Sequence, residues 1–192
     1  MSDEYWFGST DGLYYYNGDT AILTQITELQ ESWITHIHNQ NDTVWIGTQT
    51  DGIFQIINKK VAKKYNEAND LSSNNCKALV IGSNGIVWVG TNNGLNKINI
   101  YTDKIDLINY IDGLIGSDIN ALAIENKTIY VGTSEGLSSF NKFIKTKNEI
   151  APPIYLSSFQ LFEKDKILSK SYTLKHDENN ISIGFTGFLF RS

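Results

Sequence analysis

The sequence predicts an all-β fold in which one small sheet recurs four times. A short phrase with an aromatic residue and two glycines occurs four times in the 192 residues, beginning at Trp6, Trp45, Trp88 and Tyr130. The intervals are 39, 43 and 42 residues. Each copy contains a glycine turn, and an apolar segment precedes each of the last three copies. A period near 40 residues with these signals is typical of β-propeller blades, which must stack because one blade cannot bury both its faces.

Each copy of the phrase predicts a β-hairpin. In the third copy, the apolar run 86–90 leads to the turn Asn93-Gly94, and Asn-Gly favours hairpins because both residues tolerate positive φ. The second strand begins at the apolar residue that follows the turn glycine. We assign structural roles in the repeat to Trp6, Gly8, Gly12, Trp45, Gly47, Gly52, Trp88, Gly90, Gly94, Tyr130, Gly132 and Gly136.

An inner strand is predicted ahead of each of the last three copies, because its apolar residues recur at similar distances from the aromatic residue. The pairs are Ile34 and Ile37, Cys76 and Leu79, and Ile119 and Leu122. The first copy begins at Trp6, so the first blade is predicted to lack this strand. About four blades result, the first incomplete, and the chain is expected to be a fragment of a larger propeller or to be completed by partner chains.

A second domain is predicted after the only two prolines, Pro152 and Pro153, because the phrase does not return beyond them. We place the boundary near Ala151, with the propeller repeats in 1–149 and the second domain in 150–192.

Two parts of the sequence resemble a known family. Residues 69–74 and 87–95 look like the two-component regulator propeller repeat, and 110–119 is a second copy of its leading half. Residues 152–159 and 179–185, with Leu174 between them, are similar to the start of the triple-tyrosine domain. The resemblance implies that 150–192 is the N-terminal part of an immunoglobulin-like β-sandwich, truncated at Ser192.

The resemblance also implies a function. In this family, the propeller and the triple-tyrosine domain form the periplasmic sensor of hybrid two-component histidine kinases, which respond to saccharides from polysaccharides. We therefore expect a non-enzymatic sensing fragment with a possible oligosaccharide ligand, no cofactor, and a membrane link only through segments outside this chain. A propeller that serves as a protein-interaction scaffold is the alternative, and a propeller lyase or hydrolase is a weaker one.

Composition and motif content exclude some classes of function. The formal net charge is −5 and the pI is about 5.2, so the chain lacks the basic surface that a nucleic-acid partner requires. The single cysteine, Cys76, cannot form an internal disulfide and is interpreted as a core residue. No nucleophile–base pair or phosphate loop is present in the sequence.

The candidate ligand-binding residues are Trp33, His36 and His38. The two histidines alternate on the first inner strand, where the other repeats have alanine or valine, so they face one side and could contact a ligand or a metal. No third metal ligand is visible, and structural histidines are the favoured interpretation. We predict no metal-binding or catalytic residues.

Other candidates have simpler interpretations. The four phrase aromatics could stack on sugars but are interpreted as blade packing. The residues ahead of the turn glycines, Asp11, Asp51, Asn93 and Glu135, could form a ring of calcium or sugar ligands, but they are favoured there by turn geometry. The carboxylates of 163–165 and 177–178 could suggest glycoside cleavage, but they lie in polar turns.

Self-association is the last expectation from the sequence. An incomplete first blade and two open ends should expose apolar faces, so we predict a homo-oligomer, with a dimer that mimics a closed propeller. His36 and His38 are expected near that junction, next to the incomplete blade.

Overall fold

The computed structural model describes residues 5–16, 18–40, 42–144, 154–169 and 171–187. The chain divides into two compact units, Met1–Thr146 and Lys147–Ser192. The predicted boundary near Ala151 lies outside the described residues. The described residues form β-strands and three short 3-10 turns, with no α-helix among them and no helical segment that could cross a membrane. The all-β prediction is confirmed.

The first unit contains four antiparallel sheets, each formed by consecutive strands. The first sheet comprises β1 (Tyr5–Ser9), β2 (Gly12–Tyr16) and β3 (Ala21–Leu23). The second comprises β4 (Ile34–Gln40), β5 (Thr43–Thr48), β6 (Ile53–Ile57) and β7 (Lys60–Tyr65). The third comprises β8 (Cys76–Ile81), β9 (Ile86–Thr91), β10 (Gly94–Asn99) and β11 (Lys104–Ile108). The fourth comprises β12 (Ile119–Glu125), β13 (Thr128–Thr133) and β14 (Gly136–Asn141). The four predicted blades are present, and the first lacks its inner strand among the described residues.

The repeated phrase folds as predicted, with one difference in its turn. The turn glycine has positive φ in every copy, for example 107° at Gly94, but the residue ahead of it does not. The turn is instead closed by the threonine of the phrase. The Oγ1 atoms of Thr48, Thr91 and Thr133 donate to the carbonyl oxygens of Gly52, Gly94 and Gly136 at 2.8, 3.0 and 3.0 Å. This hydroxyl bond explains why threonine recurs.

Consecutive sheets pack face to face through the inner strands β4, β8 and β12. A glycine of one sheet admits the first residue of the next inner strand. A Cβ atom added to Gly8 would lie 2.5 Å from Cγ2 of Ile34, and one added to Gly90 would lie 2.5 Å from Cγ2 of Ile119. Three apolar clusters fill the three seams between neighbouring sheets.

The connection between sheets also contributes to each seam. It contains a 3-10 turn, at Thr27–Leu29, Glu67–Asn69 or Tyr110–Asp112, and a buried leucine. These leucines, Leu29, Leu71 and Leu114, share a cluster with the first apolar residue of the preceding hairpin's second strand, at Leu13, Ile53 and Leu95. Side chains of Asn66 and Asn109 cap the second and third turns by accepting from backbone N–H groups.

The second unit contains one three-stranded sheet in the order β16-β15-β17. Its strands are β15 (Ile154–Leu161), β16 (Lys164–Lys166) and β17 (Ile181–Gly187). Phe159 and Leu161 are buried, and the Phe159 ring stacks on Tyr172 with centroids 4.4 Å apart. The assignment of 150–192 to a triple-tyrosine sandwich stays a prediction.

Candidate functional site

A β-bulge interrupts all three inner strands at the same place. The register shifts between Ile34 and His36, between Cys76 and Ala78, and between Ile119 and Ala121. The residues left over are Thr35, Lys77 and Asn120. A bulge re-aims a side chain, and bulges are common beside functional sites. Three polar side chains are thus displaced from the sheet faces at one end of the inner strands.

These residues belong to a polar network that we call the inner rim: Thr35, Lys77, Asp118, Asn120 and Ser134. Thr35 Oγ1 donates to the Cys76 carbonyl across the second seam, and Lys77 Nζ donates to Asp118 Oδ1 at 2.5 Å across the third. Ser134 Oγ donates to Asp118 Oδ2 at 2.8 Å, and Asn120 Nδ2 donates to Ser134 Oγ at 3.1 Å. The inner rim therefore offers hydroxyl, ammonium, carboxylate and amide groups close together.

Asp118 is held ionised at the inner rim. The hydrogen bonds from Lys77 and Ser134, together with the charge of Lys77, lower its pKa below the ordinary value of 3.8. The carboxylate remains partly exposed, so it can accept further hydrogen bonds. This state suits a hydrogen-bond acceptor rather than a general acid, which requires a raised pKa.

Trp33 lies beside the inner rim in sequence, two residues ahead of Thr35 and at the repeat position that Asp118 occupies in the fourth sheet. Its backbone carbonyl accepts from Gln49 N–H at 3.0 Å, which fixes the main chain, while its side chain is 50% exposed. An exposed indole on an anchored backbone presents a flat apolar face to solvent.

The structure places His36 and His38 on one face of β4, as predicted, but not beside the incomplete sheet. They stand opposite Gly47 and Trp45, on the face that packs toward β8, and His36 hydrogen-bonds to the backbone of Leu79. Ile34 and Ile37 occupy the opposite face, against Gly8 of the first sheet. The expected position next to the first sheet was wrong, because alternation sends the histidines to the other seam.

Both histidines are half-buried and carry lowered pKa values. Burial lowers the pKa of His36 from the ordinary 6.5, the neighbouring His38 lowers it further, and the bond to Leu79 opposes these effects. Burial also lowers the pKa of His38. Within the described residues, no three His, Cys, Asp or Glu side chains converge on a metal position.

Lowered histidine pKa values predict acid sensitivity. Between the lowered values and 6.5 the unfolded chain binds more protons than the folded chain, so the free energy of unfolding falls as pH decreases through this window. We expect the wild-type protein to lose more stability between about pH 7 and about pH 5 than a His36→Asn/His38→Asn double variant. Urea denaturation of both proteins across that range measures the difference, and parallel pH profiles would contradict it.

The aromatic residues of the phrase have different environments in the four sheets. Trp45 and Trp88 are almost fully buried in the second and third seams, so their rings cannot stack on a ligand. Trp6 and Tyr130 are half-buried, and Trp6 contacts the first seam. Burial of the two central tryptophans fits blade packing.

Two of the residues ahead of the turn glycines, Asp11 and Asp51, accept hydrogen bonds from hydroxyl groups. Asp11 accepts from Ser9 Oγ and Tyr14 Oη, and these bonds lower its pKa. Asp51 accepts from Ser32 Oγ at 3.2 Å and from Thr50 Oγ1 at 2.8 Å. These bonds fit the interpretation of Asp11 and Asp51 as turn residues.

The candidate cysteine and the candidate carboxylates of the second unit contribute to burial and to local turns. Cys76 is fully buried, and burial raises the pKa of its thiol to about 12, so it is protonated at neutral pH. In the second unit, Asp165 Oδ1 accepts from Gln160 Nε2 and Glu178 Oε2 accepts from the backbone N–H of Lys175. These carboxylates stabilise local turns.

The sequence analysis missed the inner rim, although a signal was present. The apolar pairs of the inner strands, such as Ile34 and Ile37, are three residues apart, whereas regular strand alternation requires an even spacing. An odd spacing between two residues of one face requires an extra residue, which is a bulge. The polar residues at 35, 77 and 120 directly follow the first apolar residue of each strand and are the extra ones.

Comparison with known proteins finds a family match for one segment of the repeats. Residues 70–93 match the two component regulator propeller. This match covers 24 of the 192 residues. The matched segment contains β8, β9 and part of the connection ahead of them, and it includes the Lys77 position of the inner rim. The predicted resemblance to this propeller type is confirmed.

One longer protein is similar to this chain in sequence, and another is similar in fold. Histidine kinase P4 of Formosa agariphila is 29% identical over 115 residues, which are 52% of this chain and 8% of that protein. The extracellular domain of the putative hybrid two component system BT3049 from B. thetaiotaomicron has a TM-score of 0.63 at 22% identity, over 86% of this chain and 25% of that chain. This propeller chain thus spans a small part of both.

A shorter protein shares the fold as well. The computationally designed Ika4 protein has a TM-score of 0.57 at 17% identity, over 71% of this chain and 83% of that chain. The aligned region therefore nearly fills the designed chain.

Proposed function

We propose that this chain is the ligand-binding part of the extracytoplasmic sensor of a hybrid two-component system. The propeller repeat, the histidine-kinase relative and the fold shared with extracellular domains of hybrid two-component systems support this role. The chain then lies outside the cytoplasm and passes a binding signal to a kinase in the same protein.

The ligand in this proposal is an oligosaccharide bound at the inner rim. The observation that carries it is the bulge repeated in three inner strands, which aims Thr35, Lys77 and Asn120 at one end of the sheets. Sugar hydroxyls require donors and acceptors in alternation, which the inner rim provides, and the exposed Trp33 offers an apolar face for a pyranose ring.

Binding without turnover completes the proposal. Glycoside cleavage requires a carboxylic acid with a raised pKa and a second carboxylate at a set distance from it. Asp118 instead has a lowered pKa and is fixed by Lys77 and Ser134. The inner rim therefore suits recognition of hydroxyl groups.

Calorimetric titration with a panel of neutral and acidic oligosaccharides tests the proposal. We expect Trp33→Ala and Asn120→Ala each to weaken binding about ten-fold, because one lost polar contact or stacking contact costs about 1–2 kcal/mol. Tyr101→Ala is the matched control, since Tyr101 is also exposed but lies in the turn after β10, at the other end of the strands.

The possible results test separately where the ligand binds, which class of ligand binds, and whether the protein is an enzyme. An equal loss with Tyr101→Ala would show that the ligand does not bind at the inner rim. No binding to any saccharide of the panel would overturn the proposed ligand class. Release of reducing ends from a bound saccharide, abolished by Asp118→Asn, would show an enzyme instead.

A further inference from the structure

A cavity of about 230 Å³ lies in the third seam, between the third and fourth sheets. The third sheet contributes the turn 82–84, Ile86, Trp88 and Lys97, and the segment after β14 contributes Lys142 and Phe143. The turn follows the last residue of β8, so this third-seam cavity is at the opposite end of the strands from the inner rim. Its volume exceeds the need of one water and lies below the usual range for drug-sized ligands, about 300–1,000 Å³. It therefore suits a small molecule.

The indole N–H of Trp88 is a buried donor beside this cavity. Trp88 is 1% exposed, and a Cβ atom added to Gly82, which also lines the cavity, would lie 3.3 Å from Nε1 of Trp88. Among the described residues, this N–H has no hydrogen-bond acceptor. Buried polar groups are nearly always hydrogen-bonded, so the donor indicates an acceptor supplied by a bound molecule.

Lys97 brings an ammonium group to the same cavity. Its Nζ atom lies 5.6 Å from the centre of the Trp88 ring and donates to the Ile144 carbonyl oxygen at 3.0 Å. An ammonium group has three donors, and the other two have no partner among the described residues. Burial lowers the pKa of Lys97, Asp106 opposes this effect, and Asp106 is itself paired with Lys104 at 3.4 Å. Lys97 is therefore a partly desolvated cation, which attracts an anion more strongly than a fully hydrated one does.

Lys142 adds a second cation at a repeat position that is apolar in the second seam. Ile100 occupies this position after the third sheet's hairpin and packs against the apolar cluster of the second seam. Lys142 is half-buried, and its Nζ atom lies 5.4 Å from the centre of the Phe143 ring. The substitution of a lysine for an apolar residue therefore places charge where the preceding repeat has only packing.

The second seam balances its own lysine internally, whereas the third-seam cavity does not. Lys63 Nζ donates to Asp103 Oδ1 at 2.6 Å in the second seam. The described residues that line the third-seam cavity include two lysines and no carboxylate. This local excess of positive charge occurs in a chain whose formal net charge is −5. The cavity is therefore complementary to an anion.

We propose that the third-seam cavity binds a small organic carboxylate. The Trp88 N–H and the ammonium groups of Lys97 and Lys142 donate to the carboxylate oxygens, since charge-assisted hydrogen bonds are the stronger class. Ile86 and the rings of Trp88 and Phe143 contact the apolar part of the ligand, which sulfate and phosphate ions lack. This site is separate from the saccharide site proposed at the inner rim, so either proposal can fail without the other.

Titration of the full chain with benzoate, followed by NMR of the four tryptophan indole N–H groups, tests the proposal. We expect benzoate to shift the Trp88 indole signal, because this N–H then donates to the carboxylate. The Trp45 signal is the internal control, since Trp45 is buried at the same repeat position in the second seam and should not shift. Benzamide has the same ring without the charge and should bind at least about ten-fold more weakly.

Two lysine variants test which residues bind the carboxylate. Lys97→Gln and Lys142→Gln should each weaken benzoate binding about ten-fold, because each removes a charged donor. Both side chains are only half-buried, so both variants should fold, which circular dichroism checks. Lys63→Gln is the matched control, since it removes a half-buried lysine from the second seam and should leave benzoate binding unchanged.

Several results would overturn the proposal. An unshifted Trp88 signal would show that benzoate does not reach the third-seam cavity. Equal affinities for benzoate and benzamide would show an apolar site, and an equal effect of Lys63→Gln would place the binding elsewhere. If sulfate shifted the Trp88 signal as strongly as benzoate at the same concentration, the site would be one for inorganic anions.

Discussion

Trp88→Ala is expected to lower the free energy of unfolding by about 3–5 kcal/mol, as is usual for truncation of a buried aromatic residue. Trp88 is 1% exposed and lies in the third seam, where its ring contacts Phe140 at 6.2 Å between centroids. Lys97 Nζ lies 5.6 Å from the ring, so its charge is also stabilised by the indole. Urea denaturation followed by fluorescence of the other tryptophans measures the loss.

Trp33→Ala is the matched control for this prediction. Trp33 is half exposed, so its truncation should change the free energy of unfolding by no more than about 0.5 kcal/mol. If the inner rim binds a saccharide, Trp33→Ala should weaken binding with little change in stability, whereas Trp88→Ala should lower stability. An unchanged denaturation midpoint for Trp88→Ala would contradict the burial of this residue.

Gly90→Ala is expected to destabilise the protein by about 1–3 kcal/mol, the usual range for overpacking. The added methyl group would lie 2.5 Å from Cγ2 and 2.9 Å from Cβ of Ile119, and Ile119 is buried on the next inner strand. Because β-branched side chains have few χ1 alternatives, the two sheets must separate slightly to relieve the clash.

Gly132→Ala provides the comparison, because Gly132 occupies the same position in the fourth sheet, and the three nearest atoms to a Cβ added there all belong to Ala121 of its own sheet. The added methyl group would meet only Ala121, at an ordinary distance of 3.4 Å or more. This substitution should be neutral or slightly stabilising, since alanine is less costly than glycine in a strand. Thermal unfolding at low protein concentration measures both variants, and equal losses would show that the clash with Ile119 is relieved without cost.

The repeat made the hairpins and the stacking order predictable. The turn glycines and the phrase aromatics recur with a fixed spacing, and the strands of each hairpin begin and end close to the predicted residues. The inner strands were predicted from apolar pairs such as Cys76 and Leu79, but their bulges were not, because the pairs were interpreted as ordinary strand residues. The bulges depend on how the main chain fits the neighbouring strand, which composition does not show.

The candidate site was predictable only in part. Trp33 was predicted as a candidate because it lies close in sequence to His36 and His38. Lys77 and Asp118 were not recognised, because they are 41 residues apart and meet only when the third and fourth sheets stack. His36 and His38 were placed beside the wrong sheet, since a single residue of register decides which seam a side chain enters.

The stacking of the sheets also determines where local unfolding of the first unit begins. Each sheet is stabilised only by its nearest neighbours, so the array behaves as a one-dimensional chain of coupled elements. Among the described residues of the first unit, the second and third sheets have a neighbouring sheet on both sides, whereas the first and fourth have one on a single side. Amide hydrogens of β5 and β9 should therefore exchange with solvent more slowly than those of β1 and β13, and fraying should proceed from both ends toward the seam that contains Trp45 and Cys76.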